Sequence, residues 1–268
     1  MTGSGNDFVM LDARVSDPSE WTTEDIAAAC GRGTGVGADG LVFVGPGTDP
    51  AGKSARMTYF NSDGSHARMC GNAALCSARL AAQLGIAPGS GMRLETDAGV
   101  YDALAPGSIP VAELHLAAVE LPREVPGLAM VAPERRAALG VVGVPHLIIL
   151  VDSVDTIDLR ARGRALRFDP ALGPEGANVN FISPGKTPSD WRMRTYERGV
   201  EDETLACGTG AVTAGCALHE WQLGTLPMSI LTRSGRTLGI RARRMPSDQY
   251  DDVWLTGEAR LVFRGVLA

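Results

Sequence analysis

The chain has 268 residues, of which 44% are hydrophobic and 21% are charged, and these proportions are typical of globular proteins. Its net charge of −6 disfavours nucleic acid and anionic membrane surfaces as partners, which leaves a small polar molecule as the expected partner. No apolar stretch approaches the roughly 18 to 20 residues that cross a bilayer, and no cationic segment followed by an apolar run opens the chain, so we expect a cytoplasmic protein without a membrane span.

Strand-like segments, rich in β-branched residues or alternating in polarity, follow one another along most of the chain. In chain order the predicted strands are 7–12, 41–44, 56–61, 92–96, 113–119, 146–151, 178–182, 191–196, 229–232 and 253–263. A helix is predicted to run to Ala29, because Thr22 or Thr23 can cap it and Asp25 lies in its first turn. A short helix is predicted over 155–162.

Two further helices follow Cys70 and Cys207, and both are apolar on nearly all sides. Such helices must be buried on most of their surface. Gly85 and Gly224 are placed to end them. The first begins in the run Met-Cys-Gly-Asn-Ala-Ala and the second in Ala-Cys-Gly-Thr-Gly-Ala, so the sequence predicts a buried helix inside a β-rich half of the chain twice.

The repetition extends beyond the two cysteines. Residues 57–61 match 193–197, and Thr96 with Gly99 matches Thr232 with Gly235 at the same offset. The offset between Cys70 and Cys207 is larger than this one by a single inserted residue. A period above one hundred residues indicates two homologous halves rather than a solenoid. Because such halves usually pack about a pseudo-twofold axis, we expect the two thiols on opposite sides of one cleft.

Two thiols in this arrangement suit the inversion of a carbon that bears a hydrogen. That reaction needs a base on one face and a protonated acid on the other. Each cysteine precedes a helix, where unpaired amides and the helix dipole favour a thiolate. The amides of Gly71, Asn72, Gly208 and Thr209 can also hold a substrate carboxylate, and they can stabilise the charge that spreads onto it when the proton leaves.

No cofactor and no metal are expected. Only two of the 25 basic residues are lysines, Lys53 and Lys186, and neither lies in a rigid motif that could carry the Schiff base of pyridoxal phosphate. No close pair of cysteines or histidines lies on one face, so no zinc pattern exists. The remaining cysteines, Cys30, Cys76 and Cys216, are expected in the core, and the odd total of five favours reduced thiols.

A collinear set of motifs over nearly the whole chain resembles diaminopimelate epimerase. The segments that carry the resemblance are 3–8, 35–40, 60–65, 69–72, Pro145-His146, 178–181, and the stretch from Tyr196-Glu197-Arg198-Gly199 through 203–210. The resemblance implies an α+β fold of two pseudo-symmetric domains, each a mixed, mostly antiparallel sheet or barrel wrapped around a central helix, with the active site in the cleft between them. It places the domains at 1–111, completed by a C-terminal strand over 258–268, and at 112–257.

The resemblance also implies the reaction and the residues that perform it. Members interconvert L,L- and meso-diaminopimelate without a cofactor, in the biosynthesis of lysine and peptidoglycan precursors, and a homodimer is implied. Cys70 and Cys207 correspond to the acid and base pair. Glu197 and His146 resemble groups near the reacting amino group. The residues that resemble the family's binding groups for the distal amino-acid end of the substrate are Asn6, Asn61, Asn178 and Arg198.

Two departures from the family pattern leave alternatives open. Val144 stands where an asparagine usually precedes Pro-His, and Glu201-Asp202 replaces a single glycine. A racemase of the same architecture that acts on another amino acid, such as histidine, is one alternative. A hydrolase with Cys207 as nucleophile and His146 as base is a second. A non-catalytic amino-acid-binding protein is a third, and Glu197 could simply pair with its neighbour, Arg198.

Overall fold

A computed structural model describes residues 1–187 and 190–267 of the chain. The chain divides into two compact units. The first unit comprises Met1–His115 together with the segment that starts at Thr256, and the second comprises Leu116–Leu255. Each contains a mixed sheet and a buried helix, so the α+β class predicted from the sequence is confirmed.

The first unit contains strands β1 (Thr2–Gly3), β2 (Asn6–Asp12), β3 (Gly40–Pro46), β4 (Ser54–Asn61), β5 (His66–Ala67), β6 (Met92–Thr96), β7 (Gly99–Leu104) and most of β8 (Val111–Leu116), with helices α1 (Thr23–Cys30) and α2 (Gly71–Gln83). Strand β2 pairs with β3 in parallel, β4 pairs antiparallel with β3 and β5, and β6 runs parallel to β4 and antiparallel to β7. Helix α2 packs against β1, β2, β3, β4, β6 and β7, which makes it the central helix of this unit.

The second unit contains strands β9 (Val119–Glu120), β10 (Arg136–Val142), β11 (Val144–Leu150), β12 (Asn178–Pro184), β13 (Asp190–Glu197), β14 (Asp202–Thr204), β15 (Met228–Leu231), β16 (Thr237–Arg244) and the first part of β17 (Gln249–Glu258), with helices α3 (Leu159–Arg167) and α4 (Gly208–Glu220). Strand β11 pairs with β12 in parallel, β13 pairs antiparallel with β12 and β14, and β15 runs parallel to β13 and antiparallel to β16. The order and the directions repeat those of the first unit, strand for strand. The internal repeat in the sequence is therefore a repeat of topology.

Helices α2 and α4 are alike in length and burial. Each has 13 residues, and each starts directly after its cysteine. Small side chains let both helices lie against several strands at once, and α4 packs against β10, β11, β12 and β16. Gly85 ends α2 with a left-handed backbone at φ +66°, as predicted. The prediction that Gly224 ends α4 is wrong, because the helix stops at Glu220 and Gln222 takes the left-handed position at φ +59°.

The other helices differ in small ways from the prediction. A capping box lies at the start of helix α1. The Thr22 side chain accepts a hydrogen bond from the amide of Asp25, and the Asp25 side chain accepts one from the amide of Thr22. The helix predicted over 155–162 is a short 3₁₀ turn, Val154–Thr156, followed by α3. Asp158 caps α3 through the amide of Ala161, and this cap moves the start of the helix beyond the predicted one.

Several strands lie outside the predicted ones, namely β7, β10, β14 and β16 and the two-residue strands β1 and β5. In β10 and β16 a glycine, at 140 and 239, interrupts the strand-forming residues. Strand β9 begins at Val119, the last residue of the predicted strand 113–119. The segment predicted as a C-terminal strand over 258–268 also differs. Strand β17 ends at Glu258, and an isolated bridge joins Arg260 to Thr2. A strand needs a neighbour to pair with, and β1, which supplies Thr2, is only two residues long. Residue 268 lies outside the described residues.

In the second unit, helix α3 packs very closely against strand β13. A Cβ atom added at Gly163 of α3 would lie 2.6 Å from the Cβ atom of Tyr196 in β13. Tyr196 is 2% exposed and lies in a core cluster with Leu166 and Phe181. We expect Gly163→Ala to destabilise the protein by about 1–3 kcal/mol, because overpacking outweighs the gain in helix propensity.

Urea unfolding checks this expectation, with Gly91→Ala as the control. A Cβ atom at Gly91 would meet its nearest neighbour, the Cδ2 atom of Leu104, at 3.9 Å. The control should leave the unfolding midpoint unchanged. Equal midpoints for Gly163→Ala and the control would contradict the close packing of α3 on β13.

Candidate active site

Both cysteines occupy the position just before a helix. Cys70 has φ −142° and ψ 123°, and Cys207 has φ −129° and ψ 107°, so both are extended N-cap residues. Neither side chain caps its helix. In α2 the first intrahelical bond runs from the amide of Ala74 to the carbonyl of Cys70, at 2.9 Å. In α4 it runs from the amide of Ala211 to the carbonyl of Cys207, at 3.0 Å. The amides of 71–73 and 208–210 therefore precede the hydrogen-bonded turns.

Amides at a helix start are directed along the helix axis away from the helix body, where they bind anions. Gly71 and Asn72 supply two such amides in α2, and Gly208 and Thr209 supply two in α4, and their binding of a carboxylate stays a prediction. A thiolate at the same place gains from the helix dipole. Each unit thus contains a nucleophilic side chain beside a set of anion-binding amides.

The surroundings of Cys207 are tightly packed. Its side chain is 8% exposed, and its Sγ atom lies 3.8 Å from the Oγ1 atom of Thr209. The first turn of α4 lies so close to β12 that a Cβ atom at Gly210 would be 2.4 Å from the Oδ1 atom of Asn180 and 3.2 Å from Sγ of Cys207. Asn180 is fully buried, and its Oδ1 atom accepts a hydrogen bond from Thr195 at 2.9 Å.

The surroundings of Cys70 contain a chain of polar side chains. Asn72 donates from Nδ2 to Oδ1 of Asn6 at 2.7 Å, and Asn6 donates to Asp39 at 2.9 Å. Arg32 bonds both Asp7 and Asp39, at 2.7 and 2.8 Å. Each aspartate also accepts the backbone amide of the other. The orientation of the Asn6 amide is therefore fixed by a charged network on β2 and on the loop between α1 and β3.

Asn72 is 4% exposed, and its Oδ1 atom is buried without a hydrogen-bond partner in the described part of the chain. A buried amide oxygen costs free energy unless something donates to it. Asn61, the last residue of β4, donates instead to the Oγ atom of Ser65 at 3.0 Å. In the first unit the structure brings Asn6 and Asn72 together at the start of α2, while Asn61 belongs to the turn that leads into β5.

His146 is fully buried between two asparagines of β12. The Nδ2 atoms of Asn178 and Asn180 lie 3.5 and 3.4 Å from its Nδ1 atom. Both amides are donors, so Nδ1 accepts and the ring proton is assigned to Nε2. Burial and, to a smaller extent, the charge of Arg198 lower the pKa of His146 to about 3, although a hydrogen bond with the Val142 backbone opposes this shift. His146 is therefore neutral at physiological pH.

Glu197 is the last residue of β13 and Arg198 follows it, and Arg198 pairs with Glu175 rather than with its neighbour. Burial raises the pKa of Glu197 above its ordinary value, although the Thr204 hydroxyl opposes this shift. The guanidinium of Arg198 bonds the carboxylate of Glu175 at 3.0 Å, and its amide donates to Oδ1 of Asn178 at 2.7 Å. Glu175 is 81% exposed, so a ligand carboxylate can take its place at modest cost.

The two departures from the family pattern have clear positions. Val144 begins β11, is half-buried, and faces Val142 across the β10–β11 hairpin. Glu201 has a left-handed backbone at φ +56°, and its carboxylate accepts from the amide of Gly199 at 3.1 Å and from Arg167 at 3.3 Å. The additional residue is absorbed in this turn, and α4 still starts at Gly208.

Asp39 and Asn180 contact the candidate site residues Asn6 and His146, and the sequence analysis does not predict them. Asn180 lies two residues after Asn178 on one strand, so the alternation of a strand places both on the same face. That spacing was a usable signal. Asp39 became informative only through its contact with Asn6, which the sequence does not show.

The other cysteines are core residues. Burial raises the pKa of Cys76 and of Cys216 to about 12, and that of Cys30 to about 11. Among the described residues no three His, Cys, Asp or Glu side chains form a group that could hold a metal ion. In the same part of the chain no helix is long and apolar enough to span a membrane.

Solved structures share this fold at low sequence identity. A PhzF-family phenazine biosynthesis protein of Bacillus anthracis superimposes with a TM-score of 0.71 at 13% identity, covering 96% of this chain and 92% of its own. A hydroxyproline epimerase of Agrobacterium vitis gives 0.59 at 18% identity, covering 91% and 79%. The architecture is thus one on which PhzF-family proteins and amino-acid epimerases are built.

Sequence comparison identifies the family within this architecture. The family described as diaminopimelate epimerase matches residues 1–104 and 140–245. Diaminopimelate epimerases of Gemmatimonas aurantiaca and Aquifex aeolicus are 43% and 37% identical to the chain, cover all of it, and are themselves covered over 98% and 96% of their lengths. The chain belongs to the diaminopimelate epimerase family, and it is an isomerase.

The contact between Gly210 and Asn180 yields a prediction about activity. We expect Gly210→Ala to lower kcat by about tenfold or more, because the added methyl group must displace either the Asn180 amide or the start of α4 beside Cys207. Gly215→Ala, farther along the same helix, would place its Cβ atom 3.1 Å from Cγ2 of Ile240 and should retain activity. Steady-state kinetics of both variants check this. Wild-type turnover in Gly210→Ala would contradict the role of this packing.

The neutral, buried His146 predicts a pH dependence of stability. The unfolded chain binds a proton at this residue below about pH 6.5, whereas the folded chain does not until the pH falls to about 3. Stability therefore falls with decreasing pH in this window, by up to ~1.4 kcal/mol per pH unit from this group. Urea unfolding at pH 7.5 and 5.0 should show a smaller loss for His146→Gln than for the wild type. Equal losses in the two proteins would contradict a neutral, buried His146 in the folded chain.

Proposed function

We propose that this chain is a cofactor-independent diaminopimelate epimerase, which interconverts L,L- and meso-diaminopimelate by proton transfer between Cys70 and Cys207. The observation that carries the proposal is the duplicated helix start: in each unit a cysteine is the N-cap residue of a buried 13-residue helix. The family and the names of its members support the substrate. The reaction would serve the biosynthesis of lysine and of peptidoglycan precursors, and a cytoplasmic homodimer is proposed from the same family resemblance.

The proposed chemistry is a proton transfer without redox change. One cysteine, as thiolate, removes the α-proton from one face of the substrate carbon and becomes a thiol. The other, as thiol, delivers a proton to the opposite face and becomes a thiolate. Negative charge spreads onto the substrate carboxylate as the proton leaves. The amides of Gly71 and Asn72, or of Gly208, can stabilise that charge as an oxyanion hole does.

The remaining residues are proposed to bind the rest of the substrate. Glu197 and the neutral His146 would lie near the reacting amino group, where a carboxylate and an imidazole can accept or donate hydrogen bonds. Arg198 would exchange the exposed Glu175 for the distal carboxylate, which its planar guanidinium can bind through two bonds. Asn178 would be held for this task by the backbone amide of Arg198.

Asn6 and Asn61 would complete the distal end from the first unit. The Asp39 network already fixes the amide of Asn6, so this group loses little conformational freedom on binding. One arginine and several asparagines suit the polar groups of a second amino-acid centre, which a simple amino acid lacks. This argument favours diaminopimelate over a simple amino acid.

The two enzyme alternatives differ in their support. A racemase of another amino acid, such as histidine, would share the cysteine pair and differ in the distal residues, where Val144 departs from the family pattern. A Cys-His hydrolase is disfavoured, because a histidine with a pKa of about 3, whose Nδ1 atom lies against two amide donors, is a weak general base.

Solvent isotope incorporation tests the proposal. Purified enzyme with L,L-diaminopimelate in deuterium oxide should give meso product with one deuterium at the inverted carbon, while substrate recovered early should contain none. Cys70→Ser and Cys207→Ser should each lower kcat by roughly 10²–10⁴-fold, since each removes one of the two proton carriers. Mass spectrometry measures the label, and chiral chromatography measures turnover.

Cys216→Ala is the matched control, because this buried thiol lies on the same helix as Cys207 and should not affect turnover. If either serine variant turns over at the wild-type rate, the two-cysteine mechanism is wrong. If histidine is racemised and diaminopimelate is not, the substrate assignment is wrong while the mechanism stands.

A further inference from the structure

The tight turn 96–99 of the first unit, between β6 and β7, contacts the segment that leads into Cys70. The carboxylate of Asp97 bonds Nε2 of His66 at 2.9 Å, and its backbone carbonyl accepts a hydrogen bond from Nε of Arg68 at 3.1 Å. His66 and Arg68 lie four and two residues before Cys70. Asp97 also forms an ion pair with Arg56 of β4.

The second unit contains the equivalent turn, 232–235, between β15 and β16. Arg233 lies 3.7 Å from the carboxylate of Glu203, and the backbone amide of Ser234 donates to the carbonyl of Leu205 at 3.0 Å. Glu203 and Leu205 lie four and two residues before Cys207. Glu203 also bonds Arg194 of β13, the strand equivalent to β4.

The two sets of contacts therefore join the same places in the repeat, but the charges are exchanged. In the first unit the turn supplies the acid, Asp97, and the segment supplies the basic residue, His66. In the second unit the turn supplies the basic residue, Arg233, and the segment before Cys207 supplies the acidic residue, Glu203. Residue types have diverged at these positions while the pairing has been kept. A pairing that persists through exchange of its charges indicates that the link itself is what matters.

The local structure shows why such a link is useful. The residues directly before each cysteine, 68–69 and 205–206, belong to no helix or strand. The path of each segment sets where the N-cap residue enters its helix. The contacts between turn and segment therefore contribute to the position of each thiol relative to the helix amides.

We propose that the turns 96–99 and 232–235 are positioning elements for Cys70 and Cys207, and that Asp97 and Arg233 are positioning residues that act through His66 and Glu203. The inference rests on the proposed function for its effect on turnover. The position of the thiol itself can be measured without turnover. Neither Asp97 nor Arg233 touches the substrate in this proposal.

Charge exchange in the first unit tests it. Asp97→Arg places a cation beside His66 and Arg56, and it should lower kcat by about tenfold with KM changed less than about threefold, because misplacement of a reacting group affects the chemical step. The double variant His66→Glu with Asp97→Arg installs the pairing of the second unit. It should recover kcat to within about threefold of the wild type.

Alkylation of the thiols by iodoacetamide, resolved by mass spectrometry of peptides, is the second readout. The rate at Cys70 should fall severalfold in Asp97→Arg, because a displaced thiol loses the amides that favour its thiolate, and should recover in the double variant. The rate at Cys207 in the same molecules should not change. Asp102→Arg is the control, since it disrupts another Asp–His pair of the same unit, Asp102 with His115, and should alter neither readout.

Equal kcat and equal Cys70 alkylation in Asp97→Arg and the wild type would overturn the proposal. Loss of both without recovery in the double variant would also overturn it, since a purely structural role of Asp97 would then suffice. If Cys70→Ser proves fully active, the proposed mechanism fails, whereas the alkylation rates still decide whether the turn positions the thiol.

Discussion

The start of a buried helix is the physical feature on which this protein depends. Three amides at the beginning of α2 and three at the beginning of α4 precede the first intrahelical bonds, so the helix itself does not satisfy them. They can be satisfied by an anion, and the residue at the N-cap decides which anion forms there. Cys70 and Cys207 place a thiol at that point, so in the proposed mechanism activation of the thiol and binding of a carboxylate share one origin.

The surrounding structure fixes polar groups that would otherwise be costly or mobile. In the first unit, charged residues hold Asn6, and Asn6 holds Asn72 at the helix start. In the second unit, Asn178 and Asn180 of β12 contact His146, and burial keeps its imidazole neutral. The two units thus support equivalent cysteines by different means, with charge in one and with buried amides in the other.

The periodic and repeated features of the sequence were sufficient for most of the fold. The helices after the cysteines and the central strands were predicted, because apolar burial leaves a pattern in the residues themselves. Strands such as β10 and β16 were missed, since a glycine interrupts each of them, at 140 and 239, and pairing with a neighbour makes them strands. The end of α4 was misplaced because Gln222, and not Gly224, adopts the left-handed conformation.

The sequence by itself determined that there are two halves, that each contains a cysteine at a helix start, and which family the motifs resemble. These features are local in the chain or repeat within it, so they can be read without coordinates. Only the tertiary structure decided that Asp39 orients Asn6, that Arg198 bonds Glu175, and that Asp97 holds the segment before Cys70. Each of these contacts joins residues that are far apart in the chain, and hydrogen bonds between such residues follow from packing rather than from any pattern in the sequence.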